Sequence, residues 1–154
     1  MARWTKLAML AIAMGTLMAA TQGAFARSAE IYTALFSSLG VGGYDVVAYF
    51  DQGKAVPGNA TFQTKYKGAV WHFASAEDKA LFEKNPAAYV PQYGGYCAWA
   101  VSQGYTASGD PEVWRIVKGK LYLNYDTDVQ AKWEKNIPGF IAAGDRNWPS
   151  VLDK

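Results

Sequence analysis

Apolar positions along the chain alternate in two places and recur at helical spacing in several others. Residues 61–73, TFQTKYKGAVWHF, read as a hairpin, because two alternating runs flank Lys67-Gly68. On the second run Trp71 and Phe73 share one face and His72 takes the other. A helix is expected from Ser75, whose hydroxyl caps it, with Asp78 three residues on and Leu81 and Phe82 on the buried side. Asn85-Pro86 ends it. After Gly94-Gly95 the run CAWAVSQ fits a short helix stopped by Gly104. A second hairpin follows, 114–117 with 120–124, turning near Lys118-Gly119. Thr127 to Asn136 then reads as a helix with Thr127 and Gln130 in capping-box positions, Pro138-Gly139 interrupts, and a last short helix precedes Trp148-Pro149. Upstream, the β-branched and aromatic run Asp45 to Phe50 reads as a strand. Ile31, Leu35 and Phe36 form one apolar helical face before the glycines at 40–43. The class is α+β: small antiparallel hairpins packed with short helices, in a single domain. No internal repeat stands out.

The first 26 residues follow a different pattern. Arg3 and Lys6 precede an apolar run from Leu7 to Ala20, and Ala24-Phe25-Ala26 supplies a small-x-small cleavage pattern. This predicts a signal peptide at 1–26, an N-terminal arm at 27–43 and the domain proper at 44–152. The protein is expected to be exported, periplasmic if the source is Gram-negative and otherwise secreted, with no stable membrane anchor after cleavage. Losing Arg3 and Lys6 leaves 13 basic groups against 13 acidic ones, a formal net charge of zero. That balance gives no footprint for nucleic acid. The single cysteine cannot form an intramolecular disulfide, so packing must hold the fold. Ten tyrosines, six tryptophans and seven phenylalanines supply large apolar areas for that packing. Oligomeric state is not set by these features.

The run YKGAVWHFASAEDKALFEKNPAAY, 66–89, resembles the YHS domain in its order of tyrosine, glycine, aromatic strand, phenylalanine and closing proline-tyrosine. GYDVVAYF upstream, and YGGYCAWAVSQG, KLYLNY and IPGF downstream, resemble one exported bacterial branch of that family. The resemblance implies a small YHS-like domain in a family associated with metal handling through cysteines. Two of those cysteine positions correspond to Ala74 and Asp78 here, and GYDVVAYF also lacks the upstream cysteine, so the metal-associated pair is missing.

Candidate chemistry therefore gathers around Cys97. A metal ion would draw on Cys97, His72 and a carboxylate such as Asp78 or Asp45, since the exported chain offers one thiol, one imidazole and no methionine. A thiol in the first turn of a helix feels unpaired amides that favour thiolate; the same sequence also suits a small buried packing helix. Tyr93, Tyr96, Trp99 and Tyr44 could line a pocket for a flat or apolar ligand, with core packing as the simpler role. No C-x-x-C-H occurs, which excludes covalent c-type haem and leaves noncovalent haem with His72 or Cys97 as axial ligand. There is no G-x-S-x-G, H-E-x-x-H or phosphate loop. The expected function is binding of a small molecule or metal ion without turnover. The alternatives are a thiol-dependent enzyme or redox protein centred on Cys97, and a structural or interaction module with an inert buried cysteine.

Overall fold

Both hairpins form where the alternation places them. The computed structural model describes residues 26–154, so the expected signal peptide lies, but for Ala26, outside the described residues. Strand β1 (Asn59–Tyr66) pairs antiparallel with β2 (Ala69–Phe73), and β3 (Asp110–Val117) with β4 (Lys120–Asn124), in two separate sheets. Each turn has two residues in the left-handed region, Lys67 and Gly68 (φ 50° and 78°) and Lys118 and Gly119 (φ 49° and 74°). That geometry matches the twist of the flanking strands, and glycine enters it without steric cost.

Among the described residues six helices accompany the sheets: α1 (Ala48–Asp51), α2 (Ala76–Lys84), α3 (Pro86–Tyr89), α4 (Ala98–Ser102), α5 (Thr127–Glu134) and α6 (Ile137–Asn147). Ser75 Oγ accepts from Asp78 N at 3.1 Å and caps α2 as expected. Helix α5 is capped one residue earlier than expected, by Asp126, whose Oδ1 accepts from Val129 N at 2.7 Å. Pro138 does not interrupt a helix but stands in the first turn of α6, where its missing N–H costs nothing. The expected strand at 45–50 is replaced by α1, because the Asp45 carboxylate accepts from Val47 N at 2.9 Å and turns the chain. No helix forms around Ile31. Phe36 has φ 61° and is fully exposed, while Ile31 is buried in the core.

Two apolar clusters share strand β4. Leu121 and Leu123 point into the cluster built on Val46, Val47, Trp71, Phe73 and Phe82, and Tyr122 points into the one built on Tyr93, Val101 and Trp133. Opposite faces of one strand thus serve two cores. The segment before residue 40 is docked: Ser28 N donates to Leu152 O and Tyr32 N to Gly94 O, both at 2.9 Å.

The element order occurs twice. A 3₁₀ segment (Gly40–Gly43), α1, β1, β2 and α2 are followed by a 3₁₀ segment (Gln92–Gly95), α4, β3, β4 and α5. Val41, Gly42 and Gly43 have φ of 50°, 58° and 84°; Tyr93, Gly94 and Gly95 have 57°, 62° and 88°. Register shifts interrupt both hairpins at matching places, between Asn59 and Gln63 and between Asp110 and Trp114. Isolated bridges join Tyr44 to Pro57 and Tyr96 to Ser108. The repeat missed in the sequence is therefore a repeat of backbone conformation, carried by different side chains.

Candidate functional site

The matching φ values and bridges set Cys97 at the position of Asp45 in the two halves. Asp45 N donates to Val56 O at 2.8 Å, and Cys97 N to Ala107 O at 2.9 Å. The Asp45 carboxylate is buried and accepts from three amides: Val47 N (2.9 Å), Ala48 N (3.4 Å) and Ala74 N (2.8 Å). The Cys97 thiol, 1 % exposed, faces the counterparts of those amides on Ala100, Tyr125 and Trp99. One cradle thus holds a carboxylate and its equivalent holds a thiol. Burial pushes the Cys97 thiol above its ordinary value, against the opposing pull of the three amides. Of the two expectations for this thiol, the buried one describes its environment.

Asn124 completes the second cradle. Its Oδ1 accepts from Cys97 Sγ at 3.6 Å and from Trp99 N at 3.1 Å, while its Nδ2 is buried without a partner. The first cradle has Phe73 at that place and instead sets Asp78 beside Asp45. Burial, then a hydrogen bond and the charge of Asp45, lift the Asp78 carboxyl to about 6, with Ser75 opposing. The pairing of Asp45 with Asp78 and the role of Asn124 were not read from the sequence; an Asn closing an aromatic strand was the available signal.

The other candidate residues do not converge on Cys97. His72 is half-buried on β2, and among the described residues no three His, Cys, Asp or Glu side chains lie close enough to hold a metal ion. The expected set of Cys97, His72 and Asp78 is therefore not assembled, since Asp78 is committed to Asp45. The donors present do not fit the metal chemistry that the resemblance to the YHS domain implies. Tyr93 Oη donates to Asp145 Oδ1 at 2.9 Å, Tyr96 Oη to Ala29 O at 2.9 Å and Tyr44 Oη to Glu112 Oε1 at 3.4 Å. Trp99 packs edge-on against Tyr105, with Lys132 Nζ 5.8 Å from its ring centroid. Tyr93, Tyr96 and Trp99 pack in one apolar cluster, where Tyr93 and Tyr96 both meet Trp148, while Tyr44 packs against the other, so the four serve core packing rather than one pocket.

Among the described residues, three cavities lie elsewhere. One of about 180 Å³ includes Tyr93, Trp148, Lys67 and Glu30 in its wall. A second, of about 480 Å³, lies where Tyr32 and Gly42 meet Ser108, Gly109, Pro111 and Tyr125. The third, of about 270 Å³, has Tyr122, Ile137 and Ile141 in its wall together with Lys118, Lys120 and Asp145. Neither His72 nor Cys97 lines any of the three, which leaves an axially ligated haem without a seat there. No helix among the described residues is long and apolar enough to cross a membrane.

Comparison with known proteins gives one match. Residues 47–93, from α1 through the first hairpin, α2 and α3 to Tyr93, match the family model of the YHS domain. No curated protein and no solved structure matches the chain.

Proposed function

Because this chain carries a YHS domain over residues 47–93, we propose that it is an exported binding domain that holds a small ligand without turning it over. The observation that carries this reading is the 270 Å³ cleft between β4 and α6. Its apolar wall of Tyr122, Ile137 and Ile141 suits a hydrocarbon body, and Lys118 and Lys120 set net positive charge beside it, the Asp145 carboxylate in the same wall accepting from Tyr93 Oη. A small amphipathic carboxylate satisfies both. Burial of Cys97, the lone thiol, supports binding over thiol catalysis. Export rests on the basic start, apolar run and Ala24-Phe25-Ala26 boundary of the leader.

Native mass spectrometry of protein taken from its own compartment tests the reading without prior choice of ligand. A retained organic acid is expected, on a chain that begins at Arg27. Calorimetric titration with octanoate should show saturable binding that Lys118→Glu together with Lys120→Glu abolishes. A protein that carries no organic ligand and does not bind octanoate is not the binding domain described here.

A further inference from the structure

The equivalence of Asp45 and Cys97 has a chemical counterpart. A cysteine sulfinate carries two oxygens on the atom attached to Cβ, as an aspartate carboxylate does, with one negative charge. Around Cys97 the amides of Ala100, Tyr125 and Trp99 stand at the chain positions matching the three that hold the Asp45 carboxylate, with Trp99 N turned to Asn124 Oδ1. The cradle also contains a donor that nothing among the described residues uses. Asn124 is fully buried; Trp99 N and Cys97 Sγ both approach its Oδ1, which fixes the orientation of the carboxamide, and its Nδ2 has no acceptor. An unpaired buried amide is costly, and Asn124 Oδ1 stands 3.6 Å from Sγ, so an oxygen placed on the sulfur falls beside the same carboxamide. The first half of the chain, whose cradle already holds its carboxylate, has Phe73 there and no such orphan.

We propose that Cys97 is a peroxide-modified position whose sulfinate is held by the amides of Ala100 and Tyr125 and by Asn124 Nδ2. The oxidant is hydrogen peroxide. Cys97 first loses its proton to solvent, and its sulfur attacks one peroxide oxygen. An S–O bond forms, the O–O bond breaks and hydroxide leaves, giving the sulfenic acid. A second peroxide repeats the step on the deprotonated sulfenic acid, giving the sulfinic acid and a second hydroxide, which takes the acid's proton to leave sulfinate and water. Sulfur gives up four electrons, two to each peroxide. Burial makes the first step slow; what the cradle favours is the product. Peroxide approaches from the side of Tyr125, which belongs both to the cradle and to the wall of the 480 Å³ cavity. Ordinary thiols do not reverse sulfinate formation, so the modification is a one-way mark of peroxide exposure.

Intact-mass and peptide analysis of the folded full-length mature protein after peroxide treatment provides the test. Uptake of two oxygen atoms at Cys97 is expected, with arrest at that stage. Asn124→Ala should speed passage to the three-oxygen sulfonate by about tenfold, because a charge-assisted hydrogen bond to the sulfinate is lost. A second variant does not depend on the oxidation rate. Cys97→Asp places a carboxylate in the cradle, and at pH 8 it should fold with a Tm no lower than that of Cys97→Ser. The proposal is overturned if the folded protein takes up no oxygen at Cys97, or if it runs to sulfonate as fast as the unfolded chain. It is equally overturned if Cys97→Asp fails to fold where Cys97→Ser folds.

Discussion

Tyr93 and Gly144 meet in a contact that admits no side chain: a Cβ built on Gly144 would lie 2.5 Å from Tyr93 Oη. That hydroxyl passes over α6 to donate to Asp145 Oδ1 and to Ile141 O, at 2.9 and 3.2 Å. Gly144 is thus a passage for a buried phenol. Gly144→Ala should destabilise by about 1–3 kcal/mol through overpacking, even though alanine favours a helix interior. Tyr93→Phe should cost about 1 kcal/mol for the lost hydrogen bond. Combined, the two should cost less than their sum, because removing Oη makes room for the methyl group. Denaturant unfolding of the four proteins in this cycle measures the coupling.

Asp78 makes stability depend on pH in the direction opposite to a salt-bridged carboxylate. Its folded-state pKa of about 6 exceeds the unfolded value of 3.8, so between these values the folded chain holds a proton that the unfolded chain has released. Stability from this group is therefore present below pH 4, falls as pH rises through the window and is gone above about 6. Asp78→Asn keeps the shape of the protonated acid. It should raise Tm at pH 8 by about 3–6 °C, leave Tm at pH 4 little changed and flatten the profile between. An unchanged profile in the variant would contradict the assignment.

Ile31 anchors the segment that precedes the first 3₁₀ turn. It is 2 % exposed and belongs to the cluster around Trp71 and Phe82. Ile31→Ala should cost about 2–5 kcal/mol of unfolding free energy, while Leu35→Ala, at a position 83 % exposed, should cost almost nothing. Limited proteolysis near residue 33 should accelerate in the first variant alone.

Zinc should bind weakly. Ala74 and Asp78 stand where the resemblance to the YHS domain implies cysteines; the Ala74 amide donates to Asp45, and burial together with Asp45 raises the Asp78 carboxyl. A calorimetric titration of the monomer should show no tight stoichiometric site. Such a site would mean that donors from outside one described chain take part.

Local chemistry determined the hairpins and most helix ends. Lys67-Gly68 and Lys118-Gly119 between alternating runs can turn tightly almost only one way, and the hydroxyl of Ser75 caps a helix wherever it meets a free amide. Trp71 and Phe73 face inward because alternation allows one buried face on β2. These outcomes depend on neighbours a few residues away, which a sequence displays. Asp45 escaped the same reading: β-branched and aromatic residues at 46–50 suggest a strand, and only an inward-turned carboxylate with amides from α1 and from Ala74 makes a helical turn the better choice. The duplication was hidden for a related reason. It resides in φ angles and hydrogen bonds, which Val41 and Tyr93, or Asp45 and Cys97, satisfy with unlike side chains. Whether Cys97 meets His72, an open cleft or Asn124 depends on how β4 docks beside α4, residues far apart in the chain. Long-range packing decided that contact, and with it which chemistry the thiol is placed to do.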